Sequence, residues 1–496
     1  MAEAETRLNA ILKDNSVAAA HHASARLLNL TRLRLHPEEK LHELARSLVK
    51  KDASTDFKQD VWDYTALLDK FLGEGDEADA TTKKQRPAGL TGDELTDWVV
   101  TFQDASPATS THSIEQWEKS KALPWLVAAI SKANGQQPRA DALLSAAAKV
   151  DHTSPAFPSL AFHSVRLLIE GNRSSEARTM LDKILAGDRQ KLSPSAVNLL
   201  LSQRMTLAQN LEEFLHSAQR VPAGFSDDND GREIPDEESS TKELTKGSEL
   251  FFDLDAANAF NKAMPVSIIK DAARTKTLAL NLRRNVAQAG FVRAALIDDR
   301  ETADQAAVLL QEFYPQLKEF LSAYQKAATP DARRFAAAFV SLKFPGLRPY
   351  LSAGIGRTTA LEEIDSYRDN YWCASPPTSM SGPSAEGEGE EGKPKTQALP
   401  PPEFLKPSQA LAATQFAALQ ALGTAPNYFC RIAIAWTEKN PADPRAPEAL
   451  HLAVRSTRYG CTDDQTGRWS KAAYELLHRR YPNTTWAKNT KYWFKG

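Results

Sequence analysis

Apolar residues recur along most of this chain with a period near 3.6, and Pro, Gly, Asp or Asn interrupts the pattern roughly every 12 to 20 residues. Strand-like alternation is almost absent. Near the start, Ser16 is placed to cap a helix carrying Ala19, Ala23, Leu27 and Leu30. Pro37 stands where a first helical turn tolerates it, ahead of Leu41, Leu44, Ala45 and Leu48. Asp56 opens a third stripe of Val61, Tyr64, Leu67, Leu68 and Phe71. Thr91 and Glu94 have capping-box spacing before Leu95, Trp98, Val99 and Phe102. Short amphipathic helices in close succession predict an all-α fold of packed helix-turn-helix pairs.

The middle of the chain continues the pattern. Phe162, Val165 and Leu168 form one stripe, Gly171-Asn172 interrupts it, and Ala177, Met180, Leu181 and Leu185 form the next. Gly171 followed by Glu176-Ala177 resembles a tetratricopeptide repeat, with one residue more between the glycine and Glu-Ala, and with aliphatics at the Trp and Tyr positions. That resemblance implies an α-solenoid of antiparallel helix pairs with a concave binding face. Within the chain, Tyr314, Pro315, Leu317, Phe320, Leu321, Ser322 and Ala323 recur thirty positions later as Phe344, Pro345, Leu347, Tyr350, Leu351, Ser352 and Ala353. Such a period is close to one helical pair.

Toward the C-terminus, residues 408–422 read as a helix ended by Gly423, residues 428–438 as another and residues 447–459 as a third. Trp469, Ala472, Ala473, Leu476 and Leu477 lead to Tyr481-Pro482, and a last helix carries Trp486, Ala487 and Trp493. The run Tyr481-Pro482-Asn483-Thr484-Thr485-Trp486-Ala487 is similar to the join between repeats in bacterial envelope tetratricopeptide proteins of the outer-membrane assembly lipoprotein type. Residues 73–89, 226–246 and 376–402 lack the apolar content to form a core. The expected organisation is a helical array over 1–222, an acidic mobile loop over 223–247, central repeats over 248–375, a disordered linker over 376–402 and a tetratricopeptide-like unit over 403–496.

Charge narrows the function. Sixty-one Lys and Arg against 63 Asp and Glu leave a net charge of −2, without the cationic excess a nucleic-acid backbone binder needs. No apolar run approaches the roughly 20 residues of a membrane span. Residues 1–7 lack the pattern of a secretory leader, so a cytoplasmic location is expected as written, and a periplasmic one if a leader has been removed. Cys373, Cys430 and Cys461 are expected as buried free thiols, or as a single Cys430 to Cys461 bridge in an exported protein.

Catalytic and metal motifs are weak. Residues 387–392 satisfy the dinucleotide fingerprint formally, but three carboxylates there would repel a pyrophosphate. Residues 354–359 resemble a phosphate loop with Arg357 in place of Lys. Residues 226–237 echo a calcium loop with Ser226 at the first ligand position and Pro235 intruding. His21 and His22, adjacent on a helix, point about 100° apart and cannot share an ion. No cofactor, small-molecule or metal, is expected. The densest aromatic and charged stretch holds Arg357, Tyr367, Arg368, Tyr371 and Trp372, a contact surface for a protein chain or a sugar. Its rival reading packs Tyr367, Tyr371 and Trp372 between helices. The resulting expectation is a non-enzymatic scaffold that binds a protein partner, in a bacterial envelope or secretion assembly. The alternative is a glycan-acting hydrolase or lyase on a helical-toroid or superhelical scaffold.

Overall fold

The computed structural model describes residues 1–50, 56–72, 89–223, 250–354, 360–364, 370–373 and 401–495. Among them the protein is all-α: twenty-three α-helices, and one two-residue antiparallel strand pair, β1 (Gln219–Arg220) with β2 (Phe251–Phe252). No helix among the described residues is long and apolar enough to cross a membrane. The chain divides into two compact units, 1–173 and 174–496.

The first unit holds α1 (Ala2–Lys13), α2 (His21–Leu35), α3 (Pro37–Leu48), α4 (Phe57–Leu72), α5 (Glu94–Gln103), α6 (Pro107–Ser120), α7 (Leu123–Lys132), α8 (Ala140–Ala147) and α9 (Phe157–Glu170). Pro37 opens α3, whose Leu41, Leu44 and Ala45 meet Tyr64, Leu67 and Leu68 of α4 in a common core. The start of α2 differs from its expected form. Asp14, not Ser16, accepts the capping hydrogen bond, from the Ser16 N–H at 2.8 Å, and residues 15–20 form a 3₁₀ turn. Leu27 and Leu30 are 54% and 47% exposed, while Ser24 and Leu28 are buried. Adjacent helix positions lie about 100° apart, so packing against α1 and α3 has selected the stripe beside the leucines. Thr91 and Glu94 form no capping box either. Asp93 is the N-cap residue, and its carboxylate turns to His42 and to Arg46 Nε, the latter at 2.8 Å.

The turn after α9 is tight for a reason the sequence does not show. Gly171 packs against Gly135: a Cβ on Gly135 would sit 2.6 Å from the Gly171 nitrogen and 2.2 Å from the Leu167 carbonyl oxygen. Gly171 keeps negative φ, and Asn172 takes the left-handed conformation at φ 60.

The second unit holds α10 (Ser174–Gly187), α11 (Pro194–Thr206), α12 (Leu211–Ala218), α13 (Leu254–Asn258), α14 (Val266–Arg274), α15 (Leu280–Leu296), α16 (Arg300–Phe313), α17 (Lys318–Lys326) and α18 (Pro330–Lys343). It continues with α19 (Gln409–Ala421), α20 (Ala425–Lys439), α21 (Ala446–Ser456), α22 (Thr466–Arg480) and α23 (Thr485–Asn489). After α13 the chain makes a π-helical turn, Ala259–Ala263.

One hydrophobic core runs from Met205 to Ala487, so the residues expected as a separate unit over 403–496 share a core with the central helices. Phe335 of α18 stacks on Trp436 of α20 with centroids 4.7 Å apart. Residues 370–373 thread between α20 and the end of α21. The Asn370 N–H donates to the Tyr459 carbonyl at 2.7 Å, and the Ala425 N–H to the Trp372 carbonyl at 3.0 Å. Cys373 pairs with Cys461, Cα to Cα 5.1 Å, whereas Cys430 is free and fully buried, its thiol pKa pushed up to about 12 by burial. This corrects the expectation of three free thiols, which holds for Cys430 alone, and the alternative Cys430 to Cys461 bridge: Cys430 faces the core beneath α21, where its Sγ lies 3.6 Å from the Ala453 carbonyl.

Candidate functional site

A concave feature of about 520 Å3 lies within the second unit, among α10, α11 and α12. Asp182 and Arg189 reach it from α10 and the turn that follows, Arg204 from α11, and Glu212, Glu213 and His216 from α12. Local sequence explains why α12 presents them. Asn210 is a true N-cap: its Oδ1 accepts from the Glu213 N–H at 2.9 Å. Glu213, three residues on, reaches back to accept the Gln209 N–H at 3.2 Å.

Arg204 ties the walls together. Its Nε donates to Asp182 Oδ1 at 2.7 Å, its Nη1 lies 3.1 Å from Glu213 Oε2, and its side chain is only 12% exposed. Burial works to raise the Glu213 pKa, but the Gln209 N–H and Arg204, with Arg178 behind them, hold it below the usual carboxylate range. At the rim the side chains of Arg189, Glu212 and His216 make no hydrogen bond or ion pair among the described residues. The cleft thus carries a fixed charge network inside and free charges of both signs at its mouth.

The base of the cleft is anchored beyond α12. The Gln219 side chain donates to the Thr277 carbonyl at 3.0 Å and accepts the Ala279 N–H at 2.9 Å. Arg220, fully buried, pairs with Asp255 at 3.0 Å and also donates to the Ser217 carbonyl. Burial pushes its pKa down, and Asp255 and Asp253 oppose that shift. A buried guanidinium needs such partners, since an unpaired one would cost several kcal/mol, on the order of the penalty for a desolvated ion.

Chemically, the arrangement suits recognition better than proton transfer. A glycosidase acid must hold its proton near neutrality, which requires a raised carboxyl pKa. Glu213 sits below the usual carboxylate range because the Gln209 N–H and Arg204 favour its ionised form, and Asp182 Oδ1 is taken up by Arg204 Nε at 2.7 Å. Among the described residues no group of three or more His, Cys, Asp and Glu is placed to hold a metal ion.

The aromatic stretch read from the sequence has a different place. Tyr371 and Trp372 are 2% and 5% exposed and pack on Phe429, with centroids 5.6 and 5.0 Å away. The Tyr371 hydroxyl lies 3.4 Å from the Leu342 carbonyl, and burial pushes its pKa up. These two rings are therefore core, as the rival reading had it, and offer no surface to a partner. Arg357, Tyr367 and Arg368 lie outside the described residues, as do residues 226–237, 355–359 and 387–392 of the motifs weighed above. The cleft escaped sequence reading because its charges come from three helices. One signal was present: Asn210 and Glu213 have N-cap spacing. Set against family models, curated proteins and solved structures, the chain matches none.

Proposed function

We propose that this protein is a binding scaffold of tetratricopeptide-like helix pairs, and that it holds a segment of a partner protein in the cleft among α10, α11 and α12. The carrying observation is the Arg204 network: a guanidinium held between Asp182 and Glu213 inside an open cleft of about 520 Å3 whose rim charges are unpaired. A preorganised interior with free rim charges favours a partner segment that carries both signs, because rim charges steer approach while fixed ones set register. The glycan-acting alternative is weaker here, since the two facing carboxylates are occupied by Arg204. The Cys373 and Cys461 pairing supports an oxidising compartment such as a bacterial envelope.

The test is affinity capture with the wild type and with the double variant Arg189→Glu, Glu212→Lys, both checked for unchanged far-ultraviolet circular dichroism. Partner retention falls at least about tenfold in the variant if the cleft is the site, since reversing two rim charges sets like charges against each other across the contact, a mismatch worth about 1.4 kcal/mol or more. Unchanged retention contradicts the reading. Cleavage of a glycan by the wild type and not by Glu213→Gln would replace it with the enzymatic one.

A further inference from the structure

Helix α21 carries His451 and Arg455 four residues apart on one face, and Arg458 follows in the turn just beyond the helix end. With Tyr459, Asn489 and Thr490 they line a second cleft, of about 200 Å3, against the end of α23. Its electrostatics are one-sided. Arg458 donates to the Tyr492 carbonyl at 2.8 Å and lies 3.8 Å from the Tyr492 ring centroid, while Arg455 lies 5.8 Å from the ring of Tyr459. Neither guanidinium forms an ion pair among the described residues. The acid nearest on the same helix, Glu448, is already held by Lys343 at 2.7 Å.

The imidazole is oriented as well. Thr490 donates its hydroxyl to the Trp486 carbonyl at 2.8 Å, so the 2.7 Å contact between His451 Nδ1 and Thr490 Oγ1 has the ring as donor. Nε2 then becomes the second donor once the ring is protonated. Burial, Arg455 and Arg458 hold the His451 pKa below its ordinary value, with Glu448 acting the other way. The lowering by two arginines is what a positive potential at this cleft produces.

We propose that this cleft binds an oxyanion, the phosphate group of a small phosphorylated molecule, with Arg455 and Arg458 as its charged ligands and His451 as a proton-linked third. Two guanidinium groups and an imidazole match a dianion better than a monoanion. The volume leaves room for a substituent beside Tyr459. The site is separate from the Arg204 cleft and does not depend on its function.

The test titrates the full chain with inorganic phosphate, phenyl phosphate, benzoate and phenol by calorimetry, and follows the His451 ring protons by NMR. Phosphate and phenyl phosphate bind saturably, with a dissociation constant of roughly 1 mM or tighter. The His451 pKa rises when they do. Arg458 also holds the Tyr492 carbonyl, so Arg455→Gln, which breaks no hydrogen bond, is the cleaner variant; it weakens binding at least about tenfold. Arg458→Lys, which keeps the charge, weakens it less. No saturable heat, equal affinity in Arg455→Gln or an unmoved His451 titration overturns the proposal. Benzoate binding as tightly as phenyl phosphate would overturn the assignment of a dianion.

Discussion

Residues 314–323 and 344–353 share an apolar pattern and begin alike, yet one becomes a helix and the other does not. Tyr314 and Phe344 each end the preceding helix, at φ −138 and −126, and donate their N–H groups to the Leu310 and Val340 carbonyls at 2.9 Å. The proline that follows drives both residues out of the helical region. The next step also matches, with the Leu317 and Leu347 N–H groups on the Tyr314 and Phe344 carbonyls at 2.9 Å. From there the first segment runs into α17, and the second stays irregular. Leu321 and Leu351 are nonetheless both buried in the same core.

The difference lies in what reaches each segment from elsewhere. The Leu351 N–H donates to Asn261 Oδ1 and its carbonyl accepts from Asn261 Nδ2, both at 2.9 Å, so one side chain replaces the helix ladder. Asn261 sits in the π-helical turn, and that turn is held by Arg293, which donates to the Phe260 carbonyl at 2.8 Å and to the Met264 carbonyl at 3.4 Å. Arg293 is almost wholly buried, and burial pushes its pKa down to about 10 while Tyr350 opposes the shift. Gly346 allows the close approach of Leu361, whose carbonyl accepts the Gly346 N–H at 3.0 Å. The shared leucines are therefore buried in both segments, and distant polar side chains decide the backbone.

Arg293 is the strongest support of the irregular segment. Arg293→Ala removes a buried donor from two carbonyls and opens a cavity, and chemical denaturation should show a loss of about 3 kcal/mol or more. Asn261→Ala strands the Leu351 N–H and carbonyl, for a loss of about 2–4 kcal/mol. Gly346→Ala puts a Cβ 3.0 Å from the Leu361 Cα, for a loss of about 1–3 kcal/mol, whereas Gln316→Ala at the matching exposed position of the first segment stays within about 0.5 kcal/mol. Pro349→Ala has the smallest effect, under about 1 kcal/mol, and leaves helix content by circular dichroism unchanged because Asn261 still holds Leu351.

Much of the helical architecture was legible. Pro37, Gly423 and Tyr481-Pro482 mark real ends, and residues 408–422 fall within a residue of α19 at each end. What failed did so where contacts from outside the element decide. The face of α2 was set by α1 and α3, not by its own leucines. Cys461 found a partner 88 residues away, and Tyr371 with Trp372 went inside because Phe429 offered them an apolar surface. Similarly, the Arg204 network joins Asp182 and Glu213 across two turns of chain, and periodicity carries no record of such a junction.

The most direct measurement is amide hydrogen exchange at Leu351 in the wild type and in Asn261→Ala, with the amides of α17 as reference in the same molecule. Protection at Leu351 that collapses in the variant while α17 keeps its own is the predicted result. Equal protection at Leu351 in both proteins would contradict the claim that a remote side chain holds this backbone in place.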